Sequence, residues 1–492
     1  MVSDGMGPAS LSLTRSFRQF RDNLNYDDIL LLDKHQIGVS RTRSNNSLVT
    51  DSAAGADVFS CGLKSYNGAI GVDPFKNPCG TVLEAAKLDG YKTGLVVTTR
   101  ITDATPAAFS AHVDYRFQED QIAEHQLGYY PLGRVVDLII GGGRCHFYPR
   151  NTHTPFNDGF GDAGCRADNR NLIQEAINDG WSYVGDRAGF DSLQDGNNVT
   201  FPLLALLADT DIPYDIDRNS SIHPSLAEQT LTALTALENA TKDSDKGFFI
   251  LIEGSRIDHA GHDNDPAAQV REVLAYDDAF KVAKDFADNS DVETIILSTS
   301  DHETGGLATT RQVSPSYPDY LWYPEVLLNA SHSGEYTSAH LRESSLKLSN
   351  LEDLKNFVVN EILHKDLGIK NPSNEEINYL IKHATTARYF LNNMVSFRSQ
   401  TGWSTHGHSA VDVNVYGYSN TDSGLIKIYN ALAGNHENTE IGQFMANYLE
   451  LDLSSVTQKI KDTVHSPRIK QDELSLDSDD TLIDNHEHHH VY

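Results

Sequence analysis

Long apolar runs are missing from this sequence. No stretch of about 18 apolar residues occurs, so it contains no conventional membrane-spanning helix, and no signal peptide is visible at its start. Basic residues are also scarce. Lys and Arg total 39 against 69 Asp and Glu, a formal net charge of −30. So acidic a chain excludes nucleic acid as a partner, because binding it needs clustered Lys and Arg. Most of the acid surplus reads as solubility. Cysteine is limited to Cys61, Cys79, Cys145 and Cys165. None forms a C-x-x-C pair, which argues against a cysteine zinc site. An even number permits two short-range disulfides, with Cys61–Cys79 and Cys145–Cys165 as one pairing, and the sequence leaves the choice open. Sequons at Asn45, Asn198, Asn219, Asn239 and Asn329, taken with the even cysteine count, point to a secretory-pathway lumen.

Short apolar runs are present, and they read as buried parallel strands: 94–98, 135–140, 248–252 and 294–298. Helical patterns lie between them at 51–64, 81–89 and 267–287, the first with Thr50 or Asp51 as N-cap. Strands alternating with helices predict a doubly wound α/β sheet flanked by helices, with ligands bound beyond the carboxyl ends of the strands. Residues 1–310 read as the core. Residues 311–402, opening on a Tyr- and Pro-rich loop and helical from Leu351 to about Asn393, read as an insertion that serves as a cap or an oligomer contact. Residues 403–465 complete the core, with Val411, Val413 and Val415 alternating as a strand. Residues 466–492 form an acidic, His-rich tail expected to be disordered. The start is unusual. A Ser3-Asp4-Gly5 turn normally follows a buried strand, and here only Met1 and Val2 precede it. We expect an N-terminally truncated chain, a membrane anchor in the missing segment, and an Asp4 that is poorly held.

The strand ends carry the chemistry. Asp258 and His262, four apart, suit one cation, and a catalytic zinc keeps a position open. Alone, such a spacing is usually structural. Asp301-His302 follows another strand. His406 in Thr405-His406-Gly407-His408 is the expected third ligand beside Asp258 and His262, with His408 the competitor. Asp4, Glu253 and Thr105 are hard oxygen donors that suit magnesium. Ser52 opens a helix, where free N–H groups favour a phosphate. Taken singly it is an ordinary N-cap serine. Arg116 offers a guanidinium fork for two phosphate oxygens, though a lone arginine is more often in a surface ion pair.

Together and in order, Asp4-Gly5-Met6-Gly7, Thr50-Asp51-Ser52-Ala53-Ala54, Thr102-Asp103-Ala104-Thr105-Pro106, Glu253-Gly254-Ser255-Arg256-Ile257-Asp258-His259, Ser300-Asp301-His302-Glu303 and Thr405-His406-Gly407 resemble the alkaline phosphatase family over nearly the whole chain. The resemblance implies an alkaline-phosphatase-like fold and a broad-specificity phosphomonoesterase with two Zn2+ and one Mg2+. One zinc would take Asp258, His262 and His406. The second would take Asp4, Asp301 and His302. Magnesium would take Asp4, Thr105 and Glu253, with Asp103 at or just outside its shell and His259 behind it. Ser52 would be the nucleophile of a phosphoserine mechanism and Arg116 the phosphate clamp. Asp103 with His259 mixes two family patterns, Asp with Lys and His with His, which puts magnesium affinity and pH optimum in question. Substrates would be small phosphomonoesters, phosphopeptides among them. The likeness runs to vacuolar, membrane-anchored members, so a homodimeric glycoprotein of the vacuole lumen is expected. A diesterase or mutase would lack an arginine placed like Arg116, and a non-catalytic glycoprotein would have lost a ligand position.

Overall fold

The structure, a computed structural model, describes residues 1–150, 152, 164–348 and 350–461. The tail expected from 466 lies outside the described residues. Among the described residues eleven strands occur in chain order: β1 Gln36–Arg41, β2 Lys92–Arg100, β3 Leu138–Gly142, β4 Ser182–Val184, β5 Leu203–Leu206, β6 Phe248–Glu253, β7 Ile295–Thr299, β8 Glu303–Thr304, β9 His408–Ser409, β10 Val413–Ser419 and β11 Gly434–Glu437. One half-sheet has the order β4-β5-β3-β2-β6 and is parallel throughout. The other has the order β11-β1-β10-β7, with β10 antiparallel to both neighbours. β2, β3 and β5 are buried almost end to end. Strands covered on both faces by helices read as continuous apolar runs, which is why the sequence showed them.

The two halves meet at the first three residues. Val2 bridges Glu253 of β6 and Thr299 of β7, both in parallel. Val2 N–H donates to the Ile252 carbonyl (2.9 Å), Gly254 N–H to the Val2 carbonyl (2.9 Å) and Ser3 N–H to the Thr299 carbonyl (3.0 Å). The expectation of a poorly held Asp4 is therefore not met. Met6 N–H donates to Ser300 Oγ (2.9 Å) and Gly5 N–H to Asp301 Oδ1 (3.3 Å), which fixes the turn on both sides of Asp4. A glycine is required at position 5. Its φ is +75°, and a Cβ there would sit 2.5 Å from Asp258 Cα.

The strand expected at 135–140 is displaced to 138–142. The Asp137 carboxylate accepts from Thr93 N–H (3.1 Å) and from Lys87 Nζ (2.6 Å), so a side chain takes the place of a ladder carbonyl there. The helices expected at 81–89 and 267–287 are Val82–Leu88, with a Thr81–Glu84 capping box, and Pro266–Asn289. Within 311–402 helices begin earlier than expected, at Pro324–Asn329 and Gly334–Lys347. The second buries only Gly334, Thr337 and Leu341, too few apolar positions to mark a helix in sequence. Leu327, Leu341, Leu363 and Leu391 of this region form one cluster with Leu13 and Phe17 of the helix Pro8–Arg21 and Val270 of Pro266–Asn289. Cys61–Cys79 and Cys145–Cys165 are both disulfides. No described helix is long and apolar enough to cross a membrane.

Candidate active site

Two compact groups of metal-ligand side chains lie side by side at the carboxyl ends of β6 and β7. Asp4, Asp301 and His302 form one, with His302 Nε2 at 3.0 Å from Asp301 Oδ2 and 3.6 Å from Asp4 Oδ1. Asp258, His262 and His408 form the other. His262 Nε2 is 3.2 Å from Asp258 Oδ2, and His408 Nε2 is 3.5 Å from Asp258 Oδ1. The His302 and His408 rings stack at 3.5 Å, so the groups share a wall.

The histidine at position 406 corrects the sequence reading. His406 Nδ1 donates to the His262 carbonyl (2.7 Å), and its exposed side chain lines a separate surface cavity with Tyr389 and Trp403. His408, only 6% exposed in its side chain, occupies the cluster instead. The pairing of β8 with β9 explains the switch. Glu303 opposes Ser409 and Thr304 opposes His408, which carries His408 back over the Asp301-His302 turn. His406 precedes that pairing and stays outside.

The orientation of the three imidazoles is legible from their partners. His408 Nδ1 faces the Thr50 carbonyl (2.7 Å), and His262 Nδ1 faces the His406 carbonyl. Each donates there through Nδ1, which turns its Nε2 into the cluster. Those two Nε2 atoms face each other at 3.1 Å. Two ring nitrogens in that position, both beside Asp258, suit a cation between them. Thr304 donates to Asp258 and receives from His302 Nδ1 (3.2 Å), which frees the third Nε2 in the same way. Asp4 Oδ1 and Asp301 Oδ2 are buried with no hydrogen-bond partner. Burial, then Asp301, Asp258, Glu253 and Asp103, push the Asp4 carboxyl well up. Asp258 is held low, because His262, His408 and His302 outweigh the effect of burial. Carboxylate oxygens without hydrogen-bond donors, beside imidazole nitrogens turned into the same space, fit a metal donor set.

Glu253, 1% exposed, accepts from Ser255 Oγ (2.7 Å). Burial pushes its carboxyl up to about 8. Thr105 is buried in the first turn of the helix Ala104–Ser110, and its hydroxyl lies close enough to Glu253 to oppose that rise. Its Oγ1 makes no hydrogen bond of normal geometry. These hydroxyl and carboxylate oxygens fit a hard cation.

Ser52 is not the cap of its helix. Asp51 caps it, accepting from Ala54 N–H (3.0 Å), and Ser52 is the first residue of Ser52–Ser60. That leaves Ser52 Oγ free to sit 3.0 Å from His302 Nε2. Gly55 lets the helix lie against the cluster, since a Cβ there would meet Asp301 Cβ at 2.9 Å. Arg116 spans two carboxylates: Nη2 is 2.9 Å from Asp103 Oδ1 and Nη1 is 3.6 Å from Asp51 Oδ2. Burial lowers its pKa, but Asp103 and Asp51 more than offset that and hold it above the usual arginine value. His259 is separated from Asp103 by other groups. Its Nδ1 accepts from Arg256 Nε (3.3 Å) and lies 3.5 Å from Asp211 Oδ2. Asp51 as more than a cap, Thr304, Arg100 and Asp211 were missed in the sequence. Thr304 lies two residues past His302, but nothing in its type or spacing marks it as an orienting hydroxyl.

A family model described as alkaline phosphatase matches residues 1–451. The repressible alkaline phosphatase of Saccharomyces cerevisiae is 59% identical over 483 residues, which is 96% of this chain and 85% of that protein. The alkaline phosphatase of Schizosaccharomyces pombe is 49% identical over 94% of this chain and 82% of its own length. Among solved structures, a cold-active alkaline phosphatase from Shewanella sp. superposes with a TM-score of 0.73 at 30% identity, covering 91% of this chain and 98% of its own. A mutant of the TAB5 alkaline phosphatase with magnesium bound in its M3 site superposes with a TM-score of 0.60 at 25% identity, covering 92% and 96%.

Proposed function

The chain belongs to the alkaline phosphatase family, enzymes that hydrolyse phosphate monoesters, and on that premise we propose that Ser52 is the nucleophile of a phosphoserine mechanism. The observation that carries this reading is the placement of Ser52 Oγ, off its capping duty and 3.0 Å from His302 Nε2. Asp258, His262 and His408 would hold one zinc, and Asp4, Asp301 and His302 a second. Asp4, Thr105 and Glu253 would hold magnesium. Bound zinc supplies Lewis acidity, lowering the pKa of a ligated hydroxyl or water towards neutrality.

The protein's own side chains do the rest. Arg116 offers its fork to two phosphate oxygens and keeps the ester in line with Ser52. The first N–H groups of the helix Ser52–Ser60 favour the same phosphate. Ser52 Oγ attacks phosphorus and the ester oxygen leaves, which gives phosphoserine and an alcohol. Water then attacks that phosphoserine, releasing inorganic phosphate and restoring Ser52. Since charge compensation dominates phosphoryl transfer, broad tolerance of the alcohol follows.

Ser52→Ala is expected to abolish turnover of p-nitrophenyl phosphate, and acid quenching of the wild type with labelled phosphate should trap label on Ser52. Wild-type rates in Ser52→Ala would defeat the proposal. A vacuolar or other secretory lumen is the proposed compartment. Two disulfides and five exposed sequon asparagines support the lumenal part. The family supports a homodimer; sedimentation equilibrium of the purified protein at twice the chain mass is the result expected.

A further inference from the structure

Asp103 and His259 form no direct ion pair. Between them runs a chain of alternating charge, and Arg100, at the end of β2, is its centre. Arg100 Nη2 is 3.4 Å from Asp103 Oδ2, its Nε is 3.0 Å from Glu119 Oε2, and its Nη1 is 3.1 Å from Asp211 Oδ1. Its own backbone N–H also donates to Asp211 Oδ1 (2.9 Å). The Arg100 side chain is only 11% exposed. Asp211 then reaches His259 at 3.5 Å.

The division of the Asp103 carboxylate is the informative detail. Oδ1 takes Arg116 Nη2 at 2.9 Å and the Ala104 N–H at 2.7 Å. Oδ2 faces Arg100. A carboxylate can accept an arginine through both oxygens, and that paired geometry is the stronger one. With Oδ2 occupied by Arg100, Arg116 receives only one oxygen. Its other arm leans on Asp51 at 3.6 Å, beside Ser52. Asp51 is itself fixed by the N–H groups of Ala54 (3.0 Å) and Gly68 (2.8 Å).

We propose that Arg100 is a positioning residue for the phosphate clamp: by holding Asp103 Oδ2 it prevents a two-oxygen grip on Arg116 and keeps that guanidinium turned towards Ser52. The inference rests on the reading of Arg116 as the clamp. Arg100 touches no substrate. Glu119 and Asp211 hold Arg100 in place, and Asp211 ties the same chain to His259. Through Arg100 and Asp211 the mixed Asp103 and His259 pattern becomes one connected structure.

The test is phosphate affinity. Arg100→Met should raise both the inhibition constant for inorganic phosphate and KM for p-nitrophenyl phosphate by about tenfold, with kcat changed by less than about threefold. Arg100→Lys keeps a cation that reaches Asp103 and should recover most of the affinity. Calorimetric titration with phosphate supplies a readout independent of turnover. In an Asp103→Asn background, where Arg116 has lost its charged partner, Arg100→Met should add little further loss of affinity. Unchanged phosphate affinity in Arg100→Met, or equal further loss in the Asp103→Asn background, would overturn the inference. So would a fall in kcat and thermal midpoint with affinity intact, which marks a purely structural role. Arg116→Ala separates the two readings. If it weakens phosphate binding and Arg100→Met does not, the clamp stands and this inference alone falls. If Arg116→Ala has no effect either, both fall together.

Discussion

His406 and His408 are two residues apart and occupy different environments, and substitution separates them cleanly. His408→Ala is expected to lose zinc, read by elemental analysis, and to lower activity at least about 100-fold, because a direct ligand matters more than the groups that orient it. His406→Ala should retain zinc and stay within about threefold of wild type. In the sequence the two were nearly equivalent, as each is a histidine beside a glycine. What separates them is the pairing of β8 with β9, a contact across about a hundred residues that no local pattern announces. The single-residue types at Asp4, Ser52, Asp258, His262, Asp301 and His302 were legible because strand ends deliver them to one edge. Arg100 and Asp211 were not, since a buried charge chain is defined by distance alone. Elsewhere, His125 gives a pH prediction. Burial, helped by His112, pushes its imidazole down to about 3. His112 carries charge because Glu84 outweighs the effect of burial on it. His125 Nδ1 accepts from the His112 N–H (3.2 Å), which requires it neutral. Its folded pKa lies below the unfolded value of about 6.5, so its contribution is complete above that pH and is lost as pH falls towards about 3. Thermal midpoints should decline over that window, and His125→Gln should flatten the decline; identical profiles in both proteins would rule the assignment out.

Helices and strands of the core were readable where burial on both faces makes sequences uniformly apolar. The helices of 311–402 were partly hidden, because several of them bury only a few residues each. Gly334–Lys347 is the plainest case, with Leu341 its single large buried side chain. The helix Pro8–Arg21 supplies the complementary face through Leu13 and Phe17, both fully buried. Phe17→Ala removes a ring from that shared cluster and should cost about 3–5 kcal/mol in urea titration. Because the cluster joins 311–402 to Pro8–Arg21 and Pro266–Asn289, the loss should appear in one transition rather than a separate early one. A two-step curve for Phe17→Ala would show that the helical region melts independently. The turn at Gly5 is as strict. Gly5→Ala should lose more than about 2 kcal/mol, since both the positive φ and the approach of Asp258 forbid a Cβ.

For the molecule as a whole, charge works against its own substrate. A chain with formal charge −30 repels a phosphate dianion at long range. Raising ionic strength from about 10 mM to about 150 mM shortens the screening length from about 30 Å to about 8 Å, so kcat/KM for a small dianionic ester should rise with salt. A neutral substrate analogue measured by inhibition should show no such rise, and a fall with salt would point to a local positive funnel instead. The seam between the half-sheets has a different consequence, one of time. Met1 to Ser3 leave the ribosome long before their partners, Ile252 to Gly254 and Leu297 to Thr299. At about 5–20 residues per second, roughly 15–60 s separate the synthesis of the two sides. Until β6 is made the N-terminal segment holds unpaired backbone, and until β7 and the turn after it are made Asp4 has neither Asp301 nor His302 beside it. The catalytic edge therefore closes late, and His408 and β10 arrive later still. A newly made chain would be rich in secondary structure well before it could hydrolyse anything.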